Sequence, residues 1–293
     1  MERAQLEEQV RALDERRAFV RHAGVRTTWV GGSEARRWLQ DLITADVAEL
    51  RPFQTRRSLL LTPTGRIRAD FHVMGFGDAR QSFVLVQAED QPRLVADLLE
   101  PYVLSSDVDL RPAPFELVSV PGSGPPEAPT DVWRPSVLGH GWDLLTVPGS
   151  AAKDTIRRLE GTGLVEASVE AVESWRIRRG VPRFPIDVGE DSLPAEAGLD
   201  DQVTIDRTKG CYLGQESVAK VRNLGHPTRV VLPLRSSGPV AVGDAIVSAA
   251  DEEVGLVTSA DVLSGGSALI ARVRWGARDA ELRTRSGARL EPR

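Results

Sequence analysis

Only one cysteine, Cys211, occurs in the 293 residues. That count excludes an intramolecular disulfide. It also excludes a zinc site or iron–sulfur cluster held by several cysteines of one chain. Histidine is scarce as well, and His22, His72, His140 and His226 show no metal-ligand spacing. No apolar run approaches the ~20 residues that cross a bilayer, so no membrane association is expected. Strong charge is missing too: the formal net charge is −5, which argues against a broad, direct nucleic-acid surface. The Walker loop, G-x-G-x-x-G after a strand, H-E-x-x-H and G-x-S-x-G are all absent. What is present is ordinary for a globular protein, with 41% hydrophobic and 27% charged residues. The opening MERAQLEEQVRALDERR has no signal-peptide core and reads as a solvated helix, so a cytoplasmic location is expected.

Periodicity outlines the elements. Residues 25–31, VRTTWVG, read as a strand. Ser33 is placed as an N-cap ahead of a helix whose stripe is Ala35, Trp38, Leu39 and Leu42. Thr62-Pro63-Thr64-Gly65 is a turn signal between two extended runs. After it, Ile67, Ala69, Phe71 and Val73 alternate with Arg68, Asp70 and His72, which predicts a strand with one buried and one polar face. Phe83–Val86 is a further strand, and Pro92 is expected to open a helix carrying Leu94, Val95, Leu98, Leu99 and Tyr102. Residues 119–131 are the most loop-like stretch. Helices are predicted over 151–160 and 168–179, the second with Glu170 in its first turn, arginines in its last, and Gly180 and Pro182 beyond. From about 230 the texture becomes short β-rich runs divided by Gly, Ser and Asp, which predicts an appended small barrel or sandwich. The expected division is 1–229 for the main α+β region, as two intertwined subdomains, and 230–293 for the barrel.

Three constellations can carry chemistry. The first is Lys209-Gly210-Cys211-Tyr212-Leu213-Gly214-Gln215-Glu216. The glycines allow backbone shapes closed to other residues, and Gln215 onward reads as helix. A neighbouring lysine and a helix N-terminus both favour a thiolate. Composition alone leaves two readings of Cys211, a small apolar residue in a glycine turn or a presented, reactive thiol. The second is Trp175–Asp187, WRIRRGVPRFPID, followed by Leu193-Pro194-Ala195-Glu196. A basic helix end and an acid in one short span suit a ligand with a hydrogen-bonding heterocycle and carboxylates, although an ordinary helix C-terminus has the same composition. The third is Asp70, a strand carboxylate able to orient an amine or accept a proton if it lines a cleft.

The octapeptide KGCYLGQE, with RIRRGVPR, LPAEAGLDDQVTIDRT and VAKVRNLGHPTR around it, resembles the signature of the YgfZ folate-binding proteins. These are similar to the aminomethyltransferase (T-protein) of the glycine cleavage system. VGGSEARRWLQDLITADVAEL, LLTPTGRIRADFHV, VGLVTSA and ALIARVRW resemble further family segments, in the right order along nearly the whole chain. The resemblance implies a T-protein-like α+β fold of antiparallel sheets and helices in a ring-like arrangement, with a C-terminal β-barrel. It implies tetrahydrofolate or a one-carbon-substituted folate as ligand. It also implies a role in maintaining iron–sulfur enzymes, including a tRNA-thiolating one, through client or assembly proteins. Carried over, Cys211 is the signature thiol and Lys209 and Tyr212 frame it beside the cofactor. Glu196 stands where T-proteins place an acid near the pterin, Arg176 is the arginine before the G-x-P break, and Asp70 stands for the catalytic acid. T-proteins carry paired aspartates where this chain has Ala69-Asp70, and typically lack the cysteine motif. Both departures favour an accessory folate-binding protein over a tetrahydrofolate-dependent aminomethyl- or methyltransferase using Asp70, which remains the alternative.

Overall fold

The computed structural model describes residues 3–22, 24–77, 82–122 and 132–293. They form two compact units. The first comprises residues 1–60, 68–172 and 202–213; the second comprises 61–67, 173–201 and 214–293. Of the loop-like stretch 119–131, residues 123–131 lie outside the described residues.

The first unit contains α1 (Arg3–Asp14), β1 (Ala18–His22), β2 (Val25–Gly31), α2 (Ala35–Leu42), β3 (Thr55–Leu61), β4 (Ile67–Phe76), β5 (Ser82–Ala88) and α3 (Val95–Leu99). It continues with β6 (Asp109–Pro112), β7 (Glu116–Val120), β8 (Trp142–Thr146), α4 (Ser150–Gly161) and β9 (Val165–Ala167). Two sheets result, ordered β3-β4-β5-β2-β6 and β8-β7-β1-β9. Alternation decides what each face meets. Val30, Ala69, Phe71, Val73 and Leu85 face α2 and α3, where they pack on Trp38, Leu39, Val95 and Leu99. Met74, Val84 and Val86 point the other way and meet Leu117 and Trp133. The outer face of the second sheet, with Phe19, Val118, Val120 and Trp142, packs on Leu159 of α4. The unit is therefore a helix–sheet–sheet–helix stack.

Three local expectations are corrected. The first helix is not solvated all round, because Val10, Ala12 and Leu13 are buried. Ser33 does not cap α2: its amide and hydroxyl donate to Asp107, and Glu34 holds the N-cap position with its side chain turned to the Asp107 amide and not to the helix. The helix after Pro92 starts only at Val95 and ends in a 3-10 turn, Glu100–Tyr102.

The second unit carries α5 (Val169–Arg178) from Glu173 onward, and α6 (Gln215–Leu224). Its closed barrel runs β10 (Arg229–Ser236), β13 (Gly266–Arg274), β12 (Glu253–Leu263), β11 (Ala245–Ser248), β14 (Leu282–Thr284) and β15 (Arg289–Pro292), antiparallel throughout. Leu234, Ile246, Val257, Leu269, Ala271 and Val273 fill it. The β12–β13 register shifts between Val257 and Ser259. Thr258 is the extra residue, so two successive hydroxyls escape the usual alternation.

Candidate functional site

Cys211 is exposed, and the loop that carries it is fastened to the first unit from both sides. On the N-terminal side, Asp206 organises the turn. Its Oδ1 accepts the amides of Thr208 (2.7 Å) and Lys209 (3.0 Å) and the Thr208 hydroxyl (2.7 Å), as Asx turns do. Burial opposes ionisation of this carboxyl, but the bonds from Thr208 and Lys209 and the nearby Arg56 hold it below its usual range. The Asp206 amide donates to Thr44 O at 3.0 Å. Thr44 Oγ donates to Thr204 O at 2.8 Å and accepts the Leu59 amide at 2.9 Å.

Lys209 is the second fastening. Its Nζ donates to Ile43 O (2.7 Å) and Ala45 O (2.9 Å) and lies 5.5 Å from the centre of the Tyr212 ring. Burial lowers its pKa to about 8, against the opposing pull of Asp46, Asp206 and Asp41. On the C-terminal side, Tyr212 is buried and Leu213 packs on the α2-side core. The thiol is thus presented by a turn that is held at residues 206, 209, 212 and 213. Lys209 and Tyr212, expected beside a cofactor, form the clip of this turn.

The two glycines of the octapeptide differ. Gly214, in the second unit, has φ +83°, and a Cβ there would approach Thr62 O to 2.5 Å. Gly210 has no such constraint: a Cβ on it would meet open space, and its φ is not left-handed. The expectation that both glycines serve the backbone is corrected for Gly210.

Asp70 projects from the opposite side of the five-stranded sheet, because its neighbours Ala69 and Phe71 lie in the α2-side core. It is 9% exposed and pairs with Arg57 of β3 through both oxygens, Nε to Oδ1 at 2.9 Å and Nη2 to Oδ2 at 2.5 Å. Its backbone is pinned by Gln91, which accepts its amide at 3.2 Å and donates to its carbonyl at 2.5 Å. Gln87 in turn donates to Gln91 at 2.9 Å. Ser58, next to Arg57 on β3, points the other way and accepts the Ala45 amide at 3.1 Å. The loop of Cys211 and the carboxylate of Asp70 are therefore anchored on opposite faces of one sheet.

Arg176 and Glu196 belong to the second unit, in separate networks. All five Arg176 donors are engaged: Nε and Nη2 with Glu173 (2.7 and 2.5 Å), Nη1 with Asp187 (2.8 Å) and Val181 O (3.0 Å), and Nη2 with Ser259 (2.8 Å). Asp187 Oδ1 also accepts Thr258 (2.6 Å) and Ser259 (2.7 Å), the two hydroxyls released by the bulge. Glu196 is 1% exposed. Its Oε1 accepts the Leu193 amide, and its Oε2 lies 3.3 Å from Arg272 Nη2 and 3.4 Å from Arg229 Nε. Asp191 bridges the same arginines. Asp191 is exposed, and its partial desolvation is outweighed by their hydrogen bonds, which bring its pKa down to about 2. Beside Glu196, Arg229 Nε and Arg272 Nε are buried without a hydrogen-bond partner.

Sequence reasoning missed Arg57, Asp206 and a line in the first unit from half-buried His22 to the buried Ser119 and Asp143. Asp143 had a usable signal, since it is the sole charged residue in the strand WDLLT. Arg57 had none, because its partner lies 13 residues on.

No protein-family model matches the chain. Among curated proteins, it is 26% identical over 264 residues to an aminomethyltransferase of Synechococcus elongatus, covering 78% of this chain and 68% of that one. It is 25% identical over 241 residues to a mitochondrial iron–sulfur cluster assembly factor IBA57 homologue of Cryptococcus neoformans, covering 70% of this chain and 63% of that one. The solved aminomethyltransferase T of the glycine cleavage system from Bartonella henselae superposes with a TM-score of 0.78 at 19% identity, over 96% of this chain and 87% of that one. The α+β fold with its six-stranded C-terminal barrel is therefore the aminomethyltransferase fold. The chain is thus similar in sequence to both aminomethyltransferases and IBA57-type assembly factors, and it shares the fold of the former.

Proposed function

We propose that this protein is a tetrahydrofolate-binding accessory factor that supports iron–sulfur cluster assembly or repair, with Cys211 as its working thiol and an indirect effect on tRNA modification. The observation that carries the reading is the presentation of Cys211. An exposed thiol on a turn fixed by Asp206, Lys209, Tyr212 and Leu213 can meet a client or a cluster ligated elsewhere without reorganising. The alternative, an aminomethyl- or methyltransferase using Asp70, is favoured by the match to aminomethyltransferases. It is weakened by Arg57, whose fork occupies both Asp70 oxygens and leaves a poor proton acceptor.

Folate itself fits the surroundings of Glu196. A buried carboxylate beside two buried arginine N–H groups that make no hydrogen bond suits a heterocycle that offers both donors and acceptors. Arg176 is fully engaged inside its own network, so it supports this region as a structural residue. Helices long and apolar enough to cross a membrane are absent among the described residues.

Calorimetry with tetrahydrofolate tests the reading. Wild type and Cys211→Ser should bind equally, and Glu196→Gln at least about tenfold more weakly, since a charge-assisted contact contributes ~1.5–3 kcal/mol. Cys211→Ser should meanwhile lower iron–sulfur enzyme activity in cells. Absence of folate binding by the wild type removes the folate half of the proposal, and full client activity in Cys211→Ser removes the thiol half.

A further inference from the structure

Between the two sheets of the first unit lies a line of polar side chains that the folate and thiol chemistry does not use. Asp143 of β8 is 0% exposed. Its Oδ1 accepts two hydroxyls, Ser119 of β7 at 2.5 Å and Ser136 at 2.6 Å, and its Oδ2 accepts the Val137 amide at 2.8 Å. Ser119 is directly opposite Asp143 in the ladder. On its other side, Ser119 Oγ lies 2.9 Å from His22 Nε2 of β1. A serine has one proton. Because Ser119 gives that proton to Asp143, it accepts from His22, and the neutral imidazole must carry its proton on Nε2. Hydrogen-bond direction is thus fixed along the whole line, from His22 through Ser119 to Asp143.

We infer that His22, Ser119 and Asp143 form a proton relay, through which the fully buried Asp143 takes up a proton from water under mild acid while His22 changes tautomer and not charge. The step balances. A hydronium ion gives its proton to His22 Nδ1, the Nε2 proton passes to Ser119 Oγ, and the Ser119 proton passes to Asp143 Oδ1. One proton has been added to Asp143, one water is released, and His22 has exchanged Nε2–H for Nδ1–H. His22 is only half-buried and is the one member of the line open to such a delivery.

The surroundings favour this route over a charged imidazole. Burial lowers His22 to about 4 and His72 of β4 likewise, the latter with further lowering by Arg57, an opposing effect of Asp70 and a last, smaller lowering by His22. Burial raises Asp143 to about 6, against the bonds from Ser119, Ser136 and Val137. The charged neighbours of the line are the Arg57–Asp70 pair beside His72. Arg21 and Glu116, on the outer faces of β1 and β7, pair with one another at 3.0 Å. The opposite directions of these shifts favour protonation of the carboxyl ahead of either imidazole as the pH falls, so the sandwich interior gains no unpaired cation.

Nitrogen-15 NMR of the imidazole rings in the full chain tests the relay. His22 should be the neutral Nε2–H tautomer at pH 8 and the neutral Nδ1–H tautomer at pH 5. Asp143→Asn should give Nδ1–H already at pH 8, because the Val137 amide draws the carboxamide oxygen and turns its NH2 toward Ser119. Ser119→Ala should abolish the tautomer change between the two pH values. An unchanged Nε2–H ring at pH 5 in the wild type, or a doubly protonated one, overturns the inference. The wild-type titration alone decides if either variant fails to fold.

Discussion

Arg57→Met isolates what the Arg57–Asp70 pair contributes. The substitution keeps a long side chain but leaves the Asp70 carboxylate, 9% exposed, without its two guanidinium bonds. Removing one partner of a fully buried pair costs ~3–5 kcal/mol. Arg57 retains 25% side-chain exposure, so water reaches the vacated position and the lower end applies, about 3 kcal/mol. That is roughly two decades in the folded-to-unfolded ratio. Arg57→Met/Asp70→Leu removes both charges and should return to within about 1 kcal/mol of wild type, since apolar replacement of a buried pair is often neutral. Asp70→Leu alone should cost less than Arg57→Met, because the orphaned guanidinium can be hydrated. Urea melts followed by calorimetry and near-ultraviolet circular dichroism give the four corners of the cycle. Two compact units can unfold in separate steps, so the transition that moves must be the one assigned to residues of the first unit. A cost below about 1 kcal/mol for Arg57→Met, the range of exposed pairs, refutes the reasoning. So does a double variant as unstable as the single one.

Gly214→Ala should destabilise by about 1–3 kcal/mol, through left-handed strain and the close Thr62 carbonyl. Gly210→Ala should stay within about 0.5 kcal/mol of wild type or gain slightly, and equal thermal shifts for the two would count against the assignment. Lys209 has its folded pKa depressed to about 8 against ~10.5 unfolded. Between those values the unfolded chain binds more protons, so this group makes stability rise with pH from about 8 to 10.5. Chemical denaturation of wild type and Lys209→Met at pH 8 and 10 should show that rise only in the wild type. A parallel response of both proteins would show that the buried ammonium is not its source.

Much of the scaffold is legible in the sequence because its elements obey one period each. The strand from Ile67 alternates cleanly, Trp38 and Leu39 recur on a helical stripe, and the barrel strands are divided by Gly, Ser and Asp. The N-terminal helix reads as solvated because its three buried residues, Val10, Ala12 and Leu13, sit among charges. The octapeptide marked the right loop, yet not how it is held. Lys209 reaches Ile43 and Ala45, more than 160 residues earlier, and no local pattern encodes a contact of that span. Asp70 was read as a polar-face residue. Whether such a carboxylate is free or paired depends on the β3–β4 register, which periodicity leaves open. The hydroxyls of Ser119 and Ser136 are equally silent, since serine is common in loops and strands alike.

The bulge in β12 has an implication for how this fold can be divided or inherited. By setting Thr258 and Ser259 side by side on Asp187, and Asp187 on Arg176, it makes two barrel hydroxyls part of the solvation shell of charges carried by residues 173–201. A chain ending at residue 229 would leave Arg176 and Asp187 facing a space where that shell had been. The barrel is therefore not a cassette to be exchanged between relatives on its own. A graft that keeps function would have to transfer the Arg176–Asp187 segment with it, and substitutions at 176, 187, 258 and 259 are expected to change together or not at all.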